Sequence, residues 1–446
     1  MSLPRYAEYK DSGTELEAIP THWPLVRARA IGQFSSSGID KKSVEGEQFV
    51  RMFNYLDVYR SVDKVLRYYD GLMATTAAKD KAIEHAVRAG DILITPSSET
   101  PGDIGHAARV ADVPAGVVYS YHLVRYRPLV EVEAPYLVYL LNSEPIRRYF
   151  ASACTGTTRQ VLVREDMKST PVCLPPLGEQ RAIAAFLDSE TAKIDELISE
   201  QETLLALLAE KRQATISHAV TRGLDLAVPM KDSGIAWLGE VPAHWEVVPL
   251  KRVLSSAKAG PFGSALTKDM YVEAGYRVYG QEQVIPGDFK RGSYFIDEVK
   301  YLELQQYRVA ADDVLISCVG TFGKIAIVPE EIEPGIINPR LIRLRVGDAI
   351  RAEFLAAVLR SQVVFEQFSL LSRGGTMDVI NIGTLSEICI AVPTIGEQLA
   401  IVDHLGKCTE RFDALRGDAE SAIDLLNERR KALIAAVVTG KIDVRG

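Results

Sequence analysis

A glycine-rich turn, Gly260-Pro261-Phe262-Gly263-Ser264, followed closely by Lys268 and Tyr271, is where residue types and spacing first converge on a chemistry in this chain. Such a turn exposes backbone amides beside a cation and an aromatic ring, a combination that can approach phosphates or base edges closely. A tight turn with a purely structural role is the commoner meaning of such a stretch taken alone. Elsewhere Arg51 and Arg60 interleave with Phe53, Tyr55 and Tyr59. Arginine among aromatic rings fits contact with bases and phosphates, and a half-buried strand explains the rings equally well. Two more turns, Thr155-Gly156-Thr157-Thr158-Arg159-Gln160 and Arg373-Gly374-Gly375-Thr376-Met377-Asp378, join hydroxyls, flexible backbone and arginine. Arg and Gln have the bidentate geometry for guanine and adenine respectively. The candidates for nucleic-acid contact are therefore Arg51, Tyr55, Tyr59, Arg60, Thr157, Arg159, Gln160, Gly260, Phe262, Gly263, Ser264, Lys268, Lys324, Arg373, Gly374 and Thr376.

Catalytic patterns are missing by comparison. There is no NPPY-like or DPPY-like tetrapeptide for an amino-methyltransferase, no GxxxxGK[ST] phosphate loop and no HExxH. Gly323-Lys324 fails as a phosphate loop because Cys318 stands where its first glycine belongs and Ile325 where Ser or Thr belongs. Asp288 with Glu298-Val299-Lys300 has the residue order of a metal-dependent nuclease, but no matching set occurs earlier in the chain. Glu298 is therefore expected to be a solvated surface residue. The five cysteines, Cys154, Cys173, Cys318, Cys389 and Cys408, lack CxxC spacing, so neither a disulfide framework nor a zinc site is expected.

The elements that must position these residues are organised as a repeat. Lys10-Asp11-Ser12-Gly13, with Pro20, His22 and Trp23, recurs as Lys231-Asp232-Ser233-Gly234 with Pro242, His244 and Trp245. Asp91-Ile92-Leu93-Ile94 recurs as Asp313-Val314-Leu315-Ile316, and from Gly105 onward a constant offset of 218 brings Gly178-Glu179-Gln180 onto Gly396-Glu397-Gln398. The copies agree at their starts and in their final thirds, whereas residues 35–89 barely resemble 258–311. A shared frame carrying two different surfaces fits that pattern. The divisions expected are a repeat-start segment at 1–20, a first module at 21–175, a long helix at 176–228, a second module at 229–395 and a closing helix at 396–446. Both modules mix β-rich runs, Gly116–Arg127 and Gly335–Arg345, with helical stretches, Pro135–Ala151 and Ala352–Leu371, giving a mixed α/β class.

From Glu179 to Arg222 the chain has no Gly or Pro and favours helix throughout. Ile183, Leu187, Ile194, Leu197, Leu204 and Leu208 fall on a heptad seam, and Ile401, Leu405, Phe412, Leu415, Leu426 and Leu433 reproduce it in the second copy. Gly406 and Gly417 each cost about 1 kcal/mol in that second helix, so packing against the first is expected to compensate. Two paired antiparallel helices, each about 65 Å long at ~1.5 Å per residue, would span almost two turns of B-DNA and so serve as a ruler between the modules.

Composition sets the outer limits. At 446 residues, with 47% apolar and 25% charged, the chain is an ordinary folded protein of at least two units. No signal-peptide-like start and no membrane-length apolar run is present, which places it in the cytoplasm with no membrane partner. The net charge of −8 counts mildly against nucleic acid, but the modules are near neutral and the deficit is sharpest at 176–228, with five basic against nine acidic residues. That acidic helical region is expected to meet protein and not phosphate.

Two variable modules, each preceded by Pro-x-His-Trp and closed by PPLGEQ or PTIGEQ turning into a long helix, resemble the specificity subunits of type I restriction-modification systems. The GPFGSAL turn and the DDVLISCVGTFGKIAIV run resemble target-recognition modules of that family, and the resemblance spans essentially the whole chain. It implies that each module reads one half of a split, asymmetric site in double-stranded DNA and that the helices fix the unread spacer. It implies two modification subunits that carry S-adenosylmethionine and methylate adenine at N6, and two restriction subunits that use ATP and Mg. The chain itself would bind no cofactor or metal and catalyse nothing. A rival from another class is a coiled-coil scaffold with protein-binding ends, which predicts no salt-dependent DNA binding.

Overall fold

The computed structural model describes residues 4–318, 324–371 and 381–445. Contacts divide the chain into one unit of Met1–Gln201 with Ser421–Gly446 and another of Glu202–Glu420. Each long helix, Leu177–Arg222 and Ile395–Val438, therefore contributes one half to each unit. The start of the first helix lies with the end of the second in one unit, and the reverse holds in the other, so the two run antiparallel. An identical ion pair marks the pairing in each: Arg430 Nε lies 3.1 Å from Asp195 Oδ1, and Arg212 Nη1 lies 2.7 Å from Asp413 Oδ1. Both residues of one pair map onto the other at the 218 offset.

The two modules are built on one plan. In the first, a sheet runs in the order Gly32–Ser36, Val124–Pro128, Ile92–Ile94, Ala107–Val110, Val65–Leu66, beside a second sheet of Val118–Tyr119, Gln48–Phe53 and Met73–Ala77. In the second, Leu254–Ala259, Leu341–Val346, Val314–Ser317 and Ile325–Ile327 form the corresponding sheet, beside Phe295–Ile296, Tyr276–Tyr279 and Gly335–Ile337. Strand Gln48–Phe53 pairs in parallel with Val118–Tyr119, as Tyr276–Tyr279 does with Gly335–Ile337. The stretch with little sequence similarity thus keeps this three-stranded sheet, while Val65–Leu66 adds an edge strand found only in the first module. One buried device explains the repeated Asp-x-Leu-Ile motif. Arg127 grips the buried Asp91 bidentately at 2.6 Å, and Arg345 grips the buried Asp313 at 2.8 Å. A planar fork on a carboxylate fixes the direction of the strand that follows.

The run Pro135–Ala151 forms two helices, Ala134–Asn142 and Glu144–Ala153, and Ala352–Leu371 likewise divides into Ala352–Leu359 and Gln362–Leu371. The break falls at a serine in both copies, where Ser143 Oγ and Ser361 Oγ donate 2.6 Å to the carbonyls of Leu140 and Val358. A side chain that takes over a local carbonyl competes with continuation of the helix.

Each module closes onto the helices through its entry and exit strands, Leu25–Arg27 with Pro171–Cys173 and Glu246–Pro249 with Cys389–Val392. The repeated His-Trp and Gly-Glu-Gln motifs meet at this joint. Glu179 accepts from Trp23 Nε1 (2.9 Å) and Tyr6 Oη (3.0 Å) and lies 2.9 Å from His22 Nε2. Glu397 repeats this with Trp245 Nε1 (3.1 Å) and His244 Nε2 (2.8 Å). Gln180 and Gln398 take the backbone N–H of Glu133 and Arg351 and donate back to the carbonyls of Pro175 and Pro393. The glutamates are the anchors that fasten each helix to its module.

The heptad reading needs correction. Ile183 and Leu187 are fully buried, in a core that joins Trp23 and Phe150 of the first module to Val437 of the other helix; Ile401 and Leu405 sit in one that joins Trp245 of the second module to Ala219 and Val220 of the other helix. Ile194 is buried, and Leu208, Phe412, Leu426 and Leu433 are half-buried. Leu197, Leu204 and Leu415 were expected on the seam and are 43%, 40% and 41% exposed. Two helices cover only a narrow stripe of each other, so away from the modules there is no third surface to bury these leucines. Gly406 and Gly417 also lie on open faces, with nothing within 4 Å of a Cβ added at either. Neither glycine is thus a point of close helix approach, and the packing against the first helix lies at other positions.

Candidate nucleic-acid interface

The strands that follow Asp91 and Asp313 end at Ile94 and Ser317, and candidate residues collect at that end in both modules. In the first, Asn54 caps the short helix Tyr55–Tyr59, with its N–H returned to Asp57 Oδ2 at 2.7 Å. That cap aims Tyr55 at the strand end, where its hydroxyl donates to the Ser97 carbonyl (3.1 Å). Arg159 Nε donates to the Ser97 hydroxyl (3.1 Å), because Gln160–Val161 pairs antiparallel with Ser97–Ser98. Gln160 Nε2 closes its own turn onto the Gly156 carbonyl (2.8 Å), leaving Thr157 exposed at the tip. Tyr59 stacks on Tyr55, with centroids 5.6 Å apart, and donates to Asp103 Oδ2 (2.9 Å), whose other oxygen lies 2.9 Å from His106 Nε2. Burial would raise the Asp103 carboxyl, but the hydrogen bonds from His106 and Tyr59 hold it below its usual range. Tyr59 is correspondingly raised, first by its bond to Asp103.

Tyr55, Tyr59, Arg159 and Gln160, more than a hundred residues apart in sequence at the extremes, thus form one surface around Ser97 and Asp103. Arg51 is not part of it. Its guanidinium donates to the Leu72 carbonyl (2.8 Å) and lies over the Phe49 ring. Arg60 is exposed at the far end of the short helix.

In the second module the Gly260 turn leaves strand Leu254–Ala259 at the same end of the sheet. A Cβ on Gly260 would stand 1.8 Å from the Asn338 carbonyl oxygen, so only glycine allows this approach. Gly263 has φ +63°, which favours glycine as well, and Phe262 is 66% exposed on the tip beside exposed Ser264. Lys268 is exposed one turn on. The short helix Gln281–Val284 follows Tyr276–Tyr279 as Tyr55–Tyr59 follows Gln48–Phe53. Gln281 Nε2 donates 2.7 Å to Ser317 Oγ from the helix position equivalent to Tyr55, which donates to the Ser97 carbonyl beyond the matching strand end. Lys324 is exposed, and its carbonyl accepts the Ser317 N–H. Arg340, exposed, follows Asn338, whose side chain accepts its N–H. Arg373, Gly374 and Thr376 lie outside the described residues.

Sequence reading missed Ser97, Gln281, Ser317, Asn338 and Arg340. For Ser97 and Ser317 a signal existed, since each closely follows the matched Asp-x-Leu-Ile strand. Gln281 and Arg340 arrive through non-local pairing and carry no local mark. The nuclease-like set is dispersed: Asp288 Oδ1 caps Lys290 N–H, Lys300 bonds Glu303, and Glu298 is exposed in the first turn of Glu298–Glu303. Among the described residues no three His, Cys, Asp or Glu side chains are grouped to hold a metal ion. The five cysteines are free thiols, and among the described residues no helix is long and apolar enough to cross a membrane.

Residues 64–205 and 242–421 match the model of the type I restriction modification DNA specificity domain, which covers more than half of the chain. The chain belongs to that family. It is 24% identical over 447 residues to the putative type I restriction enzyme MjaX specificity subunit of Methanocaldococcus jannaschii, covering 99% of this chain and 98% of that protein. The EcoBI specificity subunit of Escherichia coli is 24% identical over 307 residues, 66% of this chain and 64% of that one. A chain from a solved structure of type I restriction-modification complex assembly matches with a TM-score of 0.69 at 18% identity, covering 95% and 99% of the two chains. The HsdS subunit of Thermoanaerobacter tengcongensis matches with a TM-score of 0.54 at 18% identity, covering 95% and 98%. The specificity subunit described here thus has the two-module fold of solved HsdS chains.

Proposed function

We propose that the two modules of this type I specificity subunit each read one half of a split, asymmetric DNA site. The observation that supports this most is the pair of equivalent strand ends. One frame presents Tyr55, Tyr59, Arg159 and Gln160 around Ser97 in the first module and Gly260, Phe262, Gln281 and Arg340 around Ser317 and Asn338 in the second. Equivalent placement with different chemistry is what reading two different half-sites requires. The proposal extends to Thr157, Ser264, Lys268 and Lys324 as further contacts, and, from the sequence alone, to Arg373, Gly374 and Thr376.

In the same proposal the two long helices set the spacer and offer their exposed faces to two modification subunits. S-adenosylmethionine and adenine N6 chemistry reside on those subunits, ATP and Mg on restriction subunits, and none of the catalysis on this chain. The exposed leucines Leu197, Leu204 and Leu415 support protein contact there, as does the excess of acidic residues over 176–228. A titration of the assembled complex on duplexes with both, one or neither half-site tests the reading. Tight, salt-dependent binding only when both half-sites are present is expected; equal binding to all duplexes would refute sequence reading.

A further inference from the structure

In the first unit a cavity of about 660 Å³ lies between the module and the paired helices. It is lined from one side by Lys64, Arg109 and Arg147 and from the other by Asp188, Asp195 and Arg430. The size falls in the range of small-molecule sites. Its charges are unbalanced. Asp195 is within 3.1 Å of Arg430, Asp63 at the rim is taken by Arg67 at 2.5 Å, and Asp188 accepts the Tyr139 hydroxyl at 2.7 Å. Among the described residues no carboxylate lies within ion-pair distance of Lys64, Arg109 or Arg147.

Arg147 Nη2 donates to the Gly102 carbonyl (2.9 Å), which leaves Nη1 buried without a partner. Arg430 Nε, despite its nearness to Asp195, is also buried without an aligned acceptor. Unpaired buried donors cost free energy that an acceptor would recover. Lys64 has φ +55°, a conformation a side chain of this type rarely adopts, and it is held there as its carbonyl accepts the Arg109 N–H (2.9 Å). Burial first, then Arg147 and Arg430, push the Lys64 ammonium below its ordinary range; burial and then Arg147 do the same to His106. The frame thus holds like charges together at a cost, which is the arrangement of a site shaped for an anion.

Arg109 and Arg147 are not repeated in the second module, where Ile327 and Phe365 stand at the 218 offset. Asn142 is replaced there by Arg360, whose guanidinium donates to the Ile325 carbonyl. A requirement of the shared frame would be present in both copies.

We propose that this cavity binds a phosphate group, carried by a small phosphorylated molecule or presented by a nucleic-acid backbone, with Lys64, Arg109 and Arg147 as its cationic contacts. Guanidinium forks match phosphate oxygens bidentately, and three cations around one space suit a group with more than one negative charge.

Calorimetric titration of inorganic pyrophosphate into the purified 446-residue chain at constant ionic strength tests this. Saturable one-to-one binding is expected, weakened at least about tenfold by Lys64→Met and by Arg147→Met, each confirmed folded by its melting curve. Lys64→Met stands alone if loss of the Gly102 contact unfolds the Arg147 variant. No saturable heat, or an affinity unchanged in Lys64→Met, would overturn the proposal. Adding a duplex with the recognised site separates the two sources: displacement of pyrophosphate identifies the DNA backbone, simultaneous binding a free phosphorylated molecule. Sequence specificity measured on the same variants is independent of this outcome.

Discussion

Glu397 does more than sit at the positive end of a helix. Burial would raise its carboxyl, but hydrogen bonds from Thr394, Trp245 and His244 outweigh that and hold it at about 2, against an ordinary 4.5. A carboxyl lowered on folding adds stability that is complete above about pH 4.5 and is lost as pH falls toward 2. Glu397→Gln is therefore expected to destabilise most near neutral pH, with the difference from wild type shrinking over that acid window in denaturant unfolding at a series of pH values. A difference that stays constant would show that the charge is not what is used. For the reading surface, Arg159→Ala is expected to cost about 1–3 kcal/mol on duplexes carrying the first half-site and to relax discrimination there alone, measured by binding to base-substituted duplexes. Loss of discrimination at the second half-site would contradict the assignment. The turn at Gly260 and the Arg159-Gln160 pair were legible because their chemistry is local. Gln281 and Arg340 were not, because the sheet order that brings them together beside Ser317 depends on strands far apart in the chain.

At the level of elements, the long helices were legible from composition within two residues at their starts. Their role was only partly so. A heptad pattern does not distinguish leucines that face only a partner helix from those that also enter a globular core, and Ile183, Leu187, Ile401 and Leu405 do both, sharing their cores with Val437 and Val438 or Ala219 and Val220 of the partner helix. Leu187→Ala, at a fully buried position, is expected to cost about 2–5 kcal/mol. Leu204→Ala, 40% exposed, is expected to cost under about 1 kcal/mol in the isolated chain, both read by urea unfolding. Equal costs would mean that the helix middle is buried after all. Gly406→Ala and Gly417→Ala meet open space and are expected to stabilise by about 0.5–1 kcal/mol each. The helix joints show the opposite: at Gly440, φ +72°, an added Cβ would stand 2.4 Å from Pro20 and 3.0 Å from the Trp23 ring. Alanine there is expected to destabilise by about 1–3 kcal/mol in the same unfolding experiment.

Across the whole molecule, the repeat carried the architecture. His-Trp and Gly-Glu-Gln were visible as spaced motifs, and the structure shows that they are the two sides of one joint, made twice. Even the least similar stretch, 35–89 against 258–311, supplies the same three-stranded sheet, with Val65–Leu66 as an added edge strand in the first copy, because strand pairing depends on which positions are buried more than on which residues fill them. Two equivalent frames with different residues at the same strand end are what supports the proposal that the chain reads one split site. The most direct test is to express this chain with its modification subunit in a methylation-free host and map N6-methyladenine across the genome, with the wild-type chain and with residues 21–175 exchanged for another family member's module. A bipartite motif in which only one half changes on exchange is expected. A motif that changes in both halves, or methylation that is the same without this chain, would contradict independent reading by two modules.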